Sequence, residues 1–150
     1  MVQGLVRLIL LSALLTGCAT RTPPAGTPDG EPVTANTELA GSPALSLLER
    51  ADQARGRGDT AAAGRYLERA LNMAPDSSWL YRQLAELRLQ EGDAHAAEGL
   101  ALRALRLAPD NREYQAQLWD LVATSRVNQG DSGGARDARA RARDLRKARA

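Results

Sequence analysis

Apolar side chains recur along residues 44–150 at the spacing of an α-helix. Three segments place them three and four residues apart, which gives a helix one apolar face. These sets are Leu47, Ala51 and Ala54; Tyr81, Leu84 and Ala85; and Trp119, Val122 and Ala123. Ala, Leu and Arg dominate the chain, Phe is absent and β-branched residues are few. We therefore expect an all-α fold.

The pattern returns after 34 residues. The shared positions are Ala63, Ala70 and Pro75–Asp76, which reappear as Ala97, Ala104 and Pro109–Asp110, and Gly58–Asp59, which reappears as Gly92–Asp93. A fixed period of this length, filled with helix-forming residues, predicts stacked helical hairpins. In each hairpin the Gly can end the first helix and the Asp can cap the second. A generic bundle, the alternative, gives no reason for these junctions to repeat.

On these residues the chain resembles the tetratricopeptide repeat (TPR) family. The repeats would span residues 44–77, 78–111 and 116–150. The third is displaced by four residues, about one helical turn, which a longer first helix absorbs without rotating its apolar face. The resemblance implies three TPR hairpins in a short right-handed solenoid, preceded by a disordered tether. It also implies a protein partner, bound as a peptide or a helix.

Residues 1–17 have the form of a secretion signal, in which Arg7 precedes a short apolar run. The following tetrad, Leu-Thr-Gly-Cys at residues 15–18, resembles the bacterial lipobox. That resemblance implies cleavage before Cys18 and acylation of Cys18, palmitate included. An ordinary signal peptide with a chance cysteine is the alternative. Ala19 is not the Asp that commonly retains lipoproteins in the inner membrane, so we expect the periplasmic face of the outer membrane.

The stretch after Cys18 is rich in Pro, Gly and Thr. Five of the seven prolines lie between residues 20 and 43, and large apolar side chains are nearly absent there. Such a composition buries too little apolar surface to offset the entropy lost on ordering. We predict that residues 18–43 form a disordered tether, closed by Ser42 and Pro43, and that the TPR domain spans residues 44–150.

The TPR resemblance implies a concave groove lined by the first helix of each repeat. The expected partner-binding residues are Asp52, Arg55, Trp79, Arg82, Glu86, Leu89, Gln117, Asp120 and Thr124, with Leu45, Leu48 and Val127 at equivalent positions. Trp79 and Arg82 lead this set because they share a helix face and because Trp and Arg most often anchor interfaces. The alternative for Trp79 is a purely structural role at a hairpin junction. Leu48 and Asp52 stand where some TPR proteins clamp a carboxylate, which argues against that binding mode.

No catalytic constellation is present in the sequence. His95 is the only histidine and Cys18 the only cysteine, so we predict no metal site, no cofactor and no enzymatic activity. The net charge of +2 indicates no class of partner, but residues 132–150 hold seven basic and two acidic side chains. We interpret this last helix as a soluble cap of the solenoid. Contact with anionic lipid or with an acidic protein patch is the alternative, and nucleic acid is not expected for a secreted lipoprotein.

Small TPR lipoproteins recur in the assembly of the bacterial envelope. With three repeats, the chain resembles those that activate a class A penicillin-binding protein, a peptidoglycan synthase. We therefore predict an adaptor that activates or scaffolds such an enzyme. A pilotin-like factor for type IV pilus or secretin assembly is one alternative, and a self-associating structural lipoprotein is another.

Overall fold

The computed structural model describes residues 31–148, which form seven helices and no strand. The helices are α1 (Ala35–Leu39), α2 (Ala44–Gly56), α3 (Thr60–Met73), α4 (Ser78–Gln90), α5 (Ala94–Leu107), α6 (Arg112–Asn128) and α7 (Ser132–Lys147). The predicted signal, Cys18 and the tether up to residue 30 lie outside the described residues. Within residues 31–148, no helix combines the length and the apolar character needed to cross a bilayer.

Three antiparallel hairpins pair α2 with α3, α4 with α5, and α6 with α7, and they stack in chain order. The junction inside each hairpin follows one design. Gly58, Gly92 and Gly130 have φ angles of 77°, 82° and 83°, the left-handed conformation that ends the first helix. The Asp that follows each Gly accepts a hydrogen bond from a backbone N–H in the first turn of the second helix. The prediction of an all-α fold of TPR hairpins is confirmed.

Alanine makes the helix–helix contacts close, and leucine fills the space between them. Ala63, Ala97 and Ala101 are completely buried, as are Leu67 and Leu87. Burying a leucine side chain stabilises a fold by roughly 1.5–3 kcal/mol. The repeated Ala and Leu positions of the sequence are therefore the core of the stack.

The first helix of the third hairpin is one turn longer than that of the second. α6 has 17 residues and α4 has 13. Counted back from Gly130, which follows Gly92 by 38 residues, the extra turn lies at the start of α6, which Asn111 caps. The third repeat thus begins at residue 112, four residues earlier than its predicted start at 116. Because the four additional residues amount to about one helical turn, the apolar face of α6 keeps the same orientation as that of α4.

The folded part of the chain begins before the predicted boundary at residue 44, so the prediction of disorder does not hold for residues 31–43. Thr34 and Thr37 form a capping box that starts α1, and Leu39 at its end is only 1% exposed. Leu39 packs in the core with α2 and α4, and Val33 contacts a second cluster at the start of α6. The composition did not predict this segment, because two apolar side chains are enough to order it when they pack on a surface formed by the other helices.

Candidate protein-binding groove

The first helices of the three hairpins, α2, α4 and α6, carry the predicted partner-binding residues, and we call their shared surface the groove. Hydrogen bonds between side chains cross it from helix to helix. Arg55 of α2 donates to Gln83 Oε1 of α4 at 2.6 Å. Arg82 of α4 donates to Gln117 Oε1 of α6 at 2.9 Å. The groove is therefore a connected polar surface and not three separate faces.

Trp79 and Tyr114 form an aromatic pair across α4 and α6. Their ring centroids are 6.2 Å apart and their planes differ by 12°. The guanidinium carbon of Arg82 lies 5.2 Å from the Trp79 ring centroid and 5.7 Å from that of Tyr114. At these distances a cation is attracted to the faces of aromatic rings. Packing and charge thus hold Trp79 and Arg82 together.

Polar neighbours fix the orientation of the Arg82 side chain. Its Nε donates to Glu86 Oε1 at 2.9 Å, and a terminal nitrogen reaches Gln117. The side chain of Arg82 is 23% exposed and that of Glu86 is 32% exposed. Such half-buried ion pairs contribute little to stability, on the order of 1 kcal/mol or less. Their effect here is to present one side of the guanidinium in a fixed place.

The structure also brings together Asp52 and Arg55. They form an ion pair on α2, and Arg55 continues to Gln83, which is only 8% exposed. Burial of the Gln83 amide is offset by its hydrogen bond with Arg55. This second group links the first hairpin to the second.

On the third hairpin, the groove residue Asp120 pairs with a residue that sequence reasoning did not select. Arg146 of α7 donates to Asp120 Oδ2 at 2.7 Å and lies 3.5 Å from Glu113 Oε2. The hydrogen bond that Arg146 donates to Asp120 raises the pKa of the Arg146 guanidinium. Asp120 is thus neutralised by its own domain.

On α4 and α6, three groove residues stay outside these networks. The Thr124 hydroxyl donates to the Asp120 carbonyl of its own helix at 3.0 Å. Leu89 is half-buried, and Val127 is 47% exposed, an unusual value for a large apolar side chain. Leu89 and Val127 lie near the carboxyl ends of α4 and α6, at the opposite end of the groove from Trp79. They provide an apolar contact area about ten residues, roughly 15 Å, along the helix from the aromatic pair.

Glu38 of α1 supports the aromatic pair from behind. Its carboxylate accepts the Trp79 backbone N–H at 3.0 and 3.2 Å and the Ser78 hydroxyl at 2.8 Å. The Ser78 oxygen also lies 3.2 Å from the Tyr114 hydroxyl oxygen. Burial raises the pKa of Tyr114 to about 12. The phenol is therefore a neutral structural group.

Sequence reasoning missed Glu38, Gln83, Tyr114 and Arg146. Tyr114 lies in the first turn of α6, which has no equivalent in α4 when the third repeat is counted back from Gly130 and Asp131. Glu38 lies in the stretch assigned to the tether. Glu38 could have been selected from the sequence only together with its partners on α4, Ser78 and Trp79.

A second pair of Trp and Arg lies outside the groove. The Arg141 guanidinium carbon is 4.6 Å from the Trp119 ring centroid, and Arg103 stands at 5.7 Å from Tyr81 in the preceding hairpin. These pairs join the two helices of one hairpin at equivalent positions. They show that stacking of Arg on an aromatic ring in this fold also joins the two helices of a hairpin.

The described residues contain no group of three His, Cys, Asp or Glu side chains able to hold a metal ion. His95 is exposed on α5. What the groove offers is fixed aromatic, guanidinium and amide groups, which suit recognition of another chain.

Comparisons with known proteins agree with this fold. The family model of the tetratricopeptide repeat matches residues 54–118. The solved globular C-terminal domain of P. aeruginosa LpoP is 44% identical, with a TM-score of 0.66; the match covers 70% of this chain and 98% of that one. The N-terminal domain of the stress-induced protein STI-1 from C. elegans has a TM-score of 0.64 at 14% identity, over 68% of this chain and 83% of that one, which shows the fold alone. Among curated protein sequences, none matches. The chain belongs to the tetratricopeptide-repeat family and is a relative of P. aeruginosa LpoP.

Proposed function

We propose that this protein is a periplasmic adaptor, anchored to the outer membrane, that binds a class A penicillin-binding protein through the groove and activates or scaffolds it. The observation that carries the proposal is the fixed cluster of Trp79, Arg82 and Tyr114 on a chain that is 44% identical to the LpoP domain. The sequence resembles the small TPR lipoprotein activators, and the match to LpoP supports that resemblance.

The groove suits binding because its side chains are already in place. Arg82 is held by two aromatic rings, a carboxylate and an amide, so little side-chain entropy remains to be lost when a partner docks. Aromatic and arginine side chains dominate the binding energy of protein interfaces. The half-buried Leu89 and exposed Val127 supply an apolar contact at the other end.

The charges of the groove indicate what kind of segment fits it. Arg55, Arg82 and Arg146 each have a carboxylate partner within the domain. A strongly acidic partner would find no free cation among them. A segment with apolar anchors at both ends and a neutral polar middle, either extended or helical, satisfies the surface better.

The anchor is a separate part of the proposal, since Cys18 lies outside the described residues. Mass spectrometry of the mature protein tests it directly. We expect a protein that begins at Cys18 and carries two or three acyl chains, and a Cys18→Ser variant that is not acylated. A mature form that starts elsewhere would contradict the anchor and leave the groove untouched.

The partner is tested with the chain from Ala19 to Ala150, which keeps the whole described unit and omits the acylation site. A pull-down from envelope extracts should recover a class A penicillin-binding protein, and the purified pair should show faster glycan polymerisation than the enzyme alone. Recovery of a secretin or pilus protein without any peptidoglycan synthase would instead support the pilotin-like alternative. A single monomeric species in light scattering would remove the self-associating one.

A further inference from the structure

The outward side of α7 carries an unpaired row of cations. Arg136, Arg139, Arg143 and Lys147 follow each other at intervals of three or four residues, so they form one stripe along three turns. All four are exposed, and none makes an ion pair or a side-chain hydrogen bond with another residue in the range 31–148. We call this row the basic stripe.

The buried side of α7, about 100° around the helix axis from the stripe, holds the basic stripe in place. Ala135, Ala138 and Ala142 are at most 1% exposed and pack the helix against the rest of the third hairpin. The two other guanidinium groups near the middle and end of α7 have partners, since Arg141 stacks on Trp119 and Arg146 pairs with α6. The charge of the stripe is therefore displayed on a rigid support.

Carboxylates do not interrupt the stripe. The acidic residues of α7, Asp137 and Asp144, lie about 60–160° around the helix axis from the four cations, since each residue turns the helix by roughly 100°. The stripe is thus a line of positive charge some 16 Å long, at a rise of about 1.5 Å per residue.

The stripe ends where the described chain begins. The Asn111 side chain donates to the Glu31 carbonyl at 3.2 Å, and the neighbouring Arg112 donates to the Ala148 carbonyl at 2.9 Å. Because residues 111 and 112 are adjacent, Glu31 and the carboxyl end of α7 lie at the same end of the molecule. The chain before Glu31 leads back to Cys18, the proposed site of the lipid anchor.

We propose that the basic stripe lies on the anionic lipid surface of the membrane that holds the anchor. This inference rests on the anchoring part of the proposed function and concerns a surface separate from the groove. Lipid phosphates complement a row of cations that has no partner within the domain, and each Arg or Lys near an anionic surface strengthens binding about fivefold. Contact at the stripe together with the tether fixes the direction in which the groove faces.

Vesicle sedimentation tests the proposal with the chain from Ala19 to Ala150, which has neither the apolar leader nor the acylation site. The globular C-terminal domain of LpoP, which matches 70% of this chain, was solved as a separate structure. Vesicles of 70% phosphatidylcholine and 30% phosphatidylglycerol are compared with pure phosphatidylcholine at 50 and 300 mM salt. We expect binding to the anionic vesicles alone, and weaker binding at the higher salt.

Two quadruple variants with the same change of net charge separate the stripe from a general charge effect. One replaces the stripe, with R136Q, R139Q, R143Q and K147Q. The other replaces exposed arginines of the first hairpin, with R50Q, R57Q, R65Q and R69Q. The partition coefficient should fall at least tenfold for the stripe variant and less than threefold for the control. Circular dichroism melting of both verifies that the helices are intact.

Three results would overturn the proposal. Wild-type protein that does not bind anionic vesicles is one, and equal losses in the two variants are another. The third is a stripe variant that binds vesicles normally and the partner protein weakly, which would assign the stripe to an acidic protein patch. The vesicle assay contains neither partner nor acyl chain, so its failure is distinguishable from failure of the adaptor function.

Discussion

The carboxylate of Glu38 accepts the backbone N–H of Trp79, at 3.0 Å through one oxygen and 3.2 Å through the other. A residue before the first repeat thus caps the first helix of the second repeat. Because a negative charge at a helix amino terminus is favourable, this contact stabilises α4 at the point where the aromatic pair begins. The segment of residues 31–39 therefore belongs to the groove as much as to the chain that precedes it.

Replacing Glu38 with Ala should lower the free energy of unfolding by about 1–2 kcal/mol, because a cap is lost and the buried Ser78 hydroxyl loses its acceptor. Thermal melting followed by circular dichroism measures the change. Glu49→Ala removes an exposed carboxylate of α2 and should change stability by less than about 0.5 kcal/mol. Equal melting temperatures for Glu38→Ala and wild type would show that the contacts of the Glu38 carboxylate do not contribute to stability.

Once a partner has been identified, the double variant Trp79→Leu, Arg82→Gln tests the assignment of the groove. We expect at least a tenfold loss of affinity, since anchors of these types contribute more than about 1.4 kcal/mol. Titration calorimetry or interferometry provides the measurement. Trp119→Leu with Arg141→Gln is the matched control, because it removes the same residue types from a stacked pair outside the groove. A similar loss in both variants would reject the groove assignment.

Tyr114 gives a pH dependence with a defined sign. Its pKa is about 12 in the folded protein, against 10.0 when unperturbed. Between pH 10 and 12 the unfolded chain loses this proton while the folded protein retains it, so the phenol lowers stability as the pH rises, by about 2 kcal/mol in total.

Tyr114→Phe removes that effect and keeps the aromatic stack. Below pH 10 the variant should differ from wild type by no more than about 1 kcal/mol, because only a hydroxyl contact is lost. Above pH 10 it should become progressively more stable relative to wild type. Urea denaturation at pH 8, 10 and 11.5 follows this difference. A constant difference across the series would contradict the raised pKa.

Two glycines of neighbouring sequence should respond oppositely to alanine. Gly92 has a φ of 82°, and no atom lies within 4 Å of the position a Cβ would take. Gly92→Ala is therefore expected to destabilise the protein through backbone strain alone, by about 1–2 kcal/mol. Gly99 is exposed within α5 and equally free of neighbours, so Gly99→Ala should stabilise it by about 0.5–1 kcal/mol. Chemical denaturation measures both, and loss of stability in Gly99→Ala would oppose this reasoning.

The hairpins were predictable because their signals are local and repeat. Gly58 and Asp59 are adjacent and together indicate a junction between two helices, and the 34-residue period repeats this signal. Contacts between side chains of different helices join residues that are far apart in sequence, so they are harder to predict. That Arg82 and Gln117 would both line the groove followed from the family pattern, but the stack of Trp79 on Tyr114 depends on the one turn by which α6 departs from that pattern. α1 escaped prediction because its order comes from docking and not from its own composition.

The early start of the fold also sets how far the domain can travel. Cys18, the proposed site of acylation, lies 13 positions before Glu31, a stretch that extends to about 45 Å at most. A boundary at residue 44 would have allowed roughly twice that distance. In the proposed adaptor, a partner would have to bring its docking segment close to the outer membrane, because a tether of this length would not let the domain cross the periplasm. Lengthening the chain ahead of Glu31 would be expected to release that restriction without touching a single contact of the fold.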